Sequence, residues 1–131
     1  MECIFCKLIK EQKMTIIAQN DLALAFLDIN PVSDGHTLVV SKKHIENLST
    51  CDQNTLNAMM ELVLLVTNKI KKSSLKPNGF NYLSNENKIA GQLVPHFHIH
   101  IMPKYDADHG YTHLAINRQV RPIDEIAKLL A

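Results

Sequence analysis

Short apolar runs separated by turn residues predict most of the strands in this chain. Two apolar segments, 14–19 and 22–27, flank the turn pair Asn20-Asp21 and therefore predict a β-hairpin. Three further strands are predicted, at 36–40, at 80–84 and in the alternating segment that begins at 96. The Gly and Asn residues between these runs are typical of turns and loops.

One longer segment, 52–72, predicts the main helix. Its apolar residues recur at helical spacing: Leu56, Met59, Met60, Val63 and Val66 or Ile70. A short helical or irregular turn is predicted over 3–10, and a short helix is predicted from Pro122 to Leu130. Since the strands follow one another through short turns and the helices are set apart, the pattern predicts an α+β fold with an antiparallel sheet.

Length and composition restrict the classes of protein to which the chain can belong. With 131 residues, 46% of them hydrophobic, it predicts a single domain over 1–131. A net charge of +1 argues against binding to a nucleic acid duplex. The apolar run 62–66 is too short for a membrane span, and the N-terminus does not resemble a signal peptide. Three cysteines, an odd number, favour a reduced, cytoplasmic protein.

The most informative segment places three histidines at alternate positions: His96, His98 and His100. In a strand they would share one face, with same-side neighbours roughly 6.5–7 Å apart. Like charges at that distance lower the pKa of each imidazole and favour the neutral form. A neutral imidazole suits two kinds of chemistry, a metal site made only of histidines or nucleophilic attack on a phosphate.

Several motifs occur together and in register, and with them the chain resembles the histidine triad (HIT) family. The alternating histidines end in a proline, and a Gly-Gln pair precedes them. The segments that carry the resemblance are 3–6, 26–31, 35–40, 42–45, 91–92 and 96–103. The closest resemblance is to the Hint-like branch, which contains nucleoside phosphoramidases and related nucleotide hydrolases.

The resemblance implies a fold, an assembly and an activity. The fold is a five-stranded antiparallel sheet with one long helix and short terminal helices, and two copies join into a homodimer with a ten-stranded sheet. The activity is cleavage of nucleoside phosphoramidates or related purine nucleotide conjugates through a covalent nucleotidyl-histidine, without an organic cofactor. The alternatives are a dinucleoside polyphosphate hydrolase and a non-catalytic nucleotide-binding regulatory module.

The resemblance also assigns roles to individual residues. His98 is the nucleophile, His100 its partner at the phosphate or leaving group, and His36 a further histidine packed against them. Asp28 holds the ribose hydroxyls, for which a carboxylate is well suited. The other nucleotide-binding residues implied are Ile29, Asn85, Gln92, Leu93, Phe5 and Leu38.

One position departs from the family pattern. The residue after the Gly-Gln pair is usually Ser or Thr, whose hydroxyl contacts the phosphate or leaving group, and here it is Leu93. The backbone N–H remains, but the hydroxyl is lost. This substitution makes the dinucleoside polyphosphate alternative more credible.

A structural zinc site is implied by the same resemblance. Cys3 and Cys6 form a Cys-x-x-Cys pair, which alone is half of a tetrahedral site. Many bacterial members complete the site with histidines at the positions of His44 and His96. In that arrangement His96 is a metal ligand and takes no part in catalysis.

Overall fold

The computed structural model describes residues 3–131, and its centre is a five-stranded antiparallel sheet. The strands lie in the order β1-β2-β3-β5-β4. Their bounds are Ile16–Gln19 for β1, Ala23–Leu27 for β2, Thr37–Ser41 for β3, Gly79–Leu83 for β4 and His98–Lys104 for β5. The predicted α+β fold, including the β1–β2 hairpin, is confirmed.

Three α-helices accompany the sheet within the described part of the chain, close to the positions expected from the sequence. They are α1 at Ile4–Glu11, α2 at Gln53–Lys72 and α3 at Ile123–Leu130. Asp52 caps α2, because its carboxylate accepts a hydrogen bond from the backbone N–H of Thr55. No helix within residues 3–131 is long and apolar enough to cross a membrane.

The two faces of the sheet are both apolar, and each packs against a different helix. On one face, α2 contributes Met59, Val63 and Val66 to the main core. On the other face, α1 contributes Phe5 to a smaller cluster that also holds Leu38. The sheet is therefore covered by a long helix on one side and by a short one on the other.

Successive side chains of β5 point alternately to these two faces of the sheet. Ile99 and Ile101 belong to the α2 side of the core. Leu38 of β3 lies directly opposite His100, so this histidine faces the α1 side. Period-two alternation thus places the apolar residues of β5 in the core and its histidines under α1.

The histidine strand starts later than the sequence predicts. β5 begins at His98, and His96 lies just before it. The backbone N–H of Phe97 donates to the carbonyl of Ile45 at 2.7 Å, a partner outside the β3 ladder. His96 nevertheless lies on the α1 side, where its ring is fully buried against Phe5.

Neighbouring methionines on α2 provide a matched test of this packing. Met59 is 0% exposed and Met60 is 44% exposed. We expect Met59→Ala to lower the free energy of unfolding by about 2–5 kcal/mol, because it leaves a cavity in the core. Met60→Ala should cost less than about 1 kcal/mol. Urea denaturation measures both, and equal losses in the two variants would contradict the assigned packing.

Candidate active site and metal cluster

A cavity of about 480 Å³ lies between α1, the ends of β2 and β5, and the loop that precedes β5. Eight of the ten residues predicted to be catalytic or nucleotide-binding line it: Phe5, Asp28, Ile29, His36, Leu38, Leu93, His98 and His100. The remaining two, Asn85 and Gln92, are not part of its wall. One side of the wall is apolar and the other carries the histidines, a combination typical of small-molecule sites.

His36 and His100 form a hydrogen-bonded pair whose proton positions follow from their neighbours. The backbone N–H of Val32 donates to His36 Nδ1 at 3.1 Å, so this nitrogen is an acceptor without a proton. A neutral His36 therefore carries its proton on Nε2, which donates to His100 Nδ1 at 2.9 Å. By the same reasoning His100 carries its own proton on Nε2.

His98 is held in the opposite tautomer. Its Nδ1 lies 2.6 Å from the carbonyl oxygen of His96, and since a carbonyl only accepts, Nδ1 carries the proton. The other ring nitrogen, Nε2, then has a free electron pair. His98 thus offers a nucleophilic nitrogen, whereas its neighbour His100 offers an N–H donor.

Burial keeps these imidazoles neutral. Burial lowers the pKa of His100 to about 4, with further lowering from His98 and His36 and an opposing effect from Asp28. Burial likewise lowers the pKa of His98 and of His36. At neutral pH the three rings therefore keep the tautomers that the hydrogen bonds assign.

Asp28 lies at the end of β2, where the sequence predicts a ribose contact. Its Oδ1 accepts from the backbone N–H of Asn30 at 2.9 Å, which fixes the carboxylate in a turn. Its Oδ2 lies 3.6 Å from His36 Nε2. The half-buried carboxylate is thus held at the edge of the cavity beside the histidines.

The side chain of Gln92 forms hydrogen bonds within the protein and does not line the cavity. Its side-chain amide donates to the carbonyl of Glu46 at 2.7 Å, and its side-chain oxygen accepts from the backbone N–H of Asn87 at 2.9 Å. The side chain is buried and joins the loop before β5 to the segment after β3. It braces this loop in the structure, whereas the family resemblance implies that it binds the nucleotide.

Asn85 packs against Gly91 behind the cavity wall. Gly91 has φ of +100°, and a Cβ at this position would lie 3.0 Å from Asn85 Nδ2. The positive φ favours glycine here, and a larger residue would also have to displace the Asn85 amide. Gly91 itself lines the cavity, whereas Asn85 does not.

The four predicted metal ligands meet at the start of α1. The distances are 3.3 Å from Cys3 Sγ to His96 Nδ1, 3.3 Å from Cys6 Sγ to His44 Nδ1 and 3.5 Å from Cys6 Sγ to His96 Nδ1. All four ligand atoms lie within 4.8 Å of one another. Zinc bonds of ~2.3 Å to sulfur and ~2.0 Å to nitrogen give sulfur–nitrogen edges of about 3.5 Å in a tetrahedron.

The tautomer of His96 also suits a ligand. Its Nε2 donates to the carbonyl of Ser41 at 2.7 Å, which leaves the electron pair on Nδ1 directed at the two sulfurs. A second cluster, formed by Asp28, His36 and His100, is close enough to hold a metal ion. There, both nitrogens of His36 are already hydrogen-bonded.

Sequence reasoning did not identify the groups that orient the histidines. The backbone groups of Val32, Ser41 and Glu46 that serve as partners cannot be recognised from the residue type, because nearly every residue has the same carbonyl and N–H. Lys13 and Met14 were missed as part of the cavity wall. They follow the left-handed residue Gln12, which turns the chain back over the cavity after α1.

The chain is similar to proteins of one family over most of its length. The profile of the HIT domain matches residues 9–107, and the chain therefore belongs to the HIT domain family. An uncharacterised HIT-like protein of Mycoplasma genitalium is 43% identical over 130 residues, 98% of this chain and 92% of that protein. The adenosine 5′-monophosphoramidase hnt1 of Schizosaccharomyces pombe is 39% identical over 111 residues, 84% of this chain and 80% of that protein.

A solved structure agrees with the fold. The crystal structure of a HIT family member from Bacillus subtilis superimposes with a TM-score of 0.89 at 32% identity. The match covers 99% of this chain and 95% of that one. The family and the five-stranded fold that the sequence predicts are thus confirmed.

The buried histidines predict a loss of stability in acid. Because the pKa of His100 is about 4 in the fold, below its usual 6.5, the unfolded chain binds more protons between these values. Stability is therefore fully present above about pH 6.5 and decreases as the pH falls toward about 4. Allowing for partial solvent exposure, His100 should account for on the order of 2 kcal/mol.

Urea denaturation at about pH 7.5 and about pH 4.5 measures this effect. We expect His100→Gln to lose less stability between the two pH values than the wild type. His113→Gln, a change in an exposed segment outside the site, should follow the wild type. An equal loss in the wild type and in His100→Gln would show that His100 is not responsible.

Proposed function

We propose that this chain hydrolyses nucleoside phosphoramidates, or related purine nucleotide conjugates, through a covalent nucleotidyl-histidine at His98. The observation that carries the proposal is the pair of opposite tautomers in one cavity. His98 Nε2 has a free electron pair, and His100 Nε2 has a proton to donate. Membership of the HIT domain family and the similarity to a named phosphoramidase support the same activity.

The chemistry proceeds in two displacements at phosphorus. His98 Nε2 attacks the phosphorus, the bond from phosphorus to the amine nitrogen breaks, and the amine leaves with the electron pair and a proton from solvent. His100 Nε2–H stabilises the phosphoryl oxygens or the leaving group. Water then attacks the phosphorus and loses a proton, the bond to His98 breaks, and a nucleoside monophosphate is released.

Leu93 favours a second candidate, hydrolysis of dinucleoside polyphosphates. The Leu93 side chain lines the cavity and is 87% exposed, and it supplies no hydroxyl to an amine leaving group. A comparison of turnover on diadenosine polyphosphate and on adenosine phosphoramidate separates the two activities. Tight nucleotide binding without turnover on either substrate would instead favour a regulatory binding module.

A homodimer is part of the proposal. β4 lies at one edge of the sheet and has one neighbour, β5, so its outer edge is available for pairing with a second copy. Tyr82 on β4 is exposed, and its hydroxyl is hydrogen-bonded to Thr67 of α2, a helix that also carries the exposed Leu64 and Leu65. Pairing of two β4 strands would join the sheets into one of ten strands.

We also propose that Cys3, Cys6, His44 and His96 bind a structural zinc ion. Four ligand atoms of the types that zinc prefers lie at separations close to tetrahedral edges. A zinc ion there would attach the N-terminus of α1 to the segments that follow β3 and precede β5. These residues would act as ligands only and would not touch the substrate.

The test of the activity compares wild type with His98→Ala. Incubation with adenosine phosphoramidate should release adenosine monophosphate, and His98→Ala should reduce the rate by at least about a thousandfold because the nucleophile is lost. His113→Ala, outside the cavity, should keep the wild-type rate. If His98→Ala and wild type release product equally fast, the proposed nucleophile is wrong.

The zinc site predicts a metal content that depends on two of the three cysteines. Protein produced with zinc available should carry about one zinc ion per chain, measured by elemental analysis. Cys3→Ser and Cys6→Ser should lose the metal and unfold at a lower temperature. Cys51→Ser is the matched control, because Cys51 lies outside the cluster. Metal-free wild-type protein, or equal loss in Cys51→Ser, would refute the site.

A further inference from the structure

Phe5 lies between the metal cluster and the candidate active site. It is one of the two residues of α1 between Cys3 and Cys6, the other being Ile4, and it is 7% exposed. The ring makes edge-to-face contacts with His96, at a centroid distance of 5.8 Å, and with His98, at 5.2 Å. One side chain thus contacts both a candidate ligand and the candidate nucleophile.

A second connection runs through the backbone. Nδ1 of the His96 ring points at the two sulfurs. The backbone carbonyl of His96 accepts a hydrogen bond from Nδ1 of His98 at 2.6 Å. Movement of His96 would therefore disturb both the contact with Phe5 and the hydrogen bond that holds His98 in its tautomer. His96 thus connects the metal cluster to His98 in the candidate active site.

The position of α1 depends on its contacts with the rest of the protein. The helix has eight residues, fewer than the ~12–15 that an isolated helix needs in water. It supplies Ile4, Phe5 and Leu8 to the cavity wall. Phe5 also packs edge-to-face on Phe26, across the same wall, at 5.8 Å. An ion held by Cys3 and Cys6 at the start of α1 would fix this wall in place.

We propose that Phe5 is a positioning residue that couples metal binding at the Cys3–Cys6–His44–His96 cluster to nucleotide binding in the cavity. The inference rests on the proposed function, because it takes the cavity to be a nucleotide site. Coupling between two sites is reciprocal, so bound nucleotide must tighten metal binding by the same factor by which metal tightens nucleotide binding. Each ligand favours the arrangement in which Phe5 contacts both histidines.

The zinc affinity of the full chain tests this inference without any activity measurement. Zinc binding is measured by competition with a chromophoric chelator, with and without saturating adenosine monophosphate. We expect the nucleotide to tighten zinc binding at least about fivefold. An unchanged zinc affinity in the presence of bound nucleotide, or a failure to bind zinc, overturns the inference.

Two variants distinguish this path from a general effect on folding. Phe5→Leu keeps an apolar side chain but removes the ring contacts, and we expect it to bring the coupling factor close to one. Phe80→Leu is the matched control, because Phe80 lies in β4 outside the cavity and should keep the coupling. Equal coupling in the two variants would assign the effect to overall stability and overturn the role of Phe5.

One further outcome separates this inference from the proposed function. Calorimetric titration of the zinc-loaded protein with adenosine monophosphate should show binding. If no nucleotide binds, the proposed function fails and the coupling fails with it. If nucleotide binds but zinc affinity does not respond, the coupling alone is wrong.

Discussion

The two-residue period of the strand around β5 is the constraint on which the structure depends. It sends Ile99 and Ile101 into the core beneath α2 and turns the histidines toward α1. A shift of one residue in the register would exchange these two sets, placing imidazoles in the core beneath α2 and apolar side chains on the α1 side. The core and the chemistry of this protein are therefore specified by the same few residues.

Hydrogen bonds to main-chain groups give the histidine rings different tautomers and therefore different chemistry. The carbonyls of Ser41 and His96 accept hydrogen bonds from the rings of His96 and His98, while the backbone N–H of Val32 donates to His36. As a result, His96 offers Nδ1 to two thiols, His98 offers Nε2 to the cavity, and His100 keeps its proton on Nε2. Residue type alone would leave these rings equivalent.

The sequence predicts well those features that depend on local periodicity and on turn residues. The hairpin around Asn20 and the long helix α2 belong to this group, because each depends on residues close together in the chain. The sequence predicts less well those features that depend on hydrogen bonds to backbone groups far away in the chain. The start of β5 at His98 depends on a bond from Phe97 to Ile45, and the orientation of Gln92 depends on the carbonyl of Glu46.

The central claim, that His98 becomes covalently attached to the nucleotide, can be tested by trapping the intermediate. The wild-type protein is mixed with an adenosine phosphoramidate, quenched within milliseconds to seconds at alkaline pH and analysed by peptide mass spectrometry. The account predicts an adenylyl group on the peptide that contains His98, with fragment ions that assign it to that residue. Turnover without any adduct, or an adduct on another residue, would contradict it.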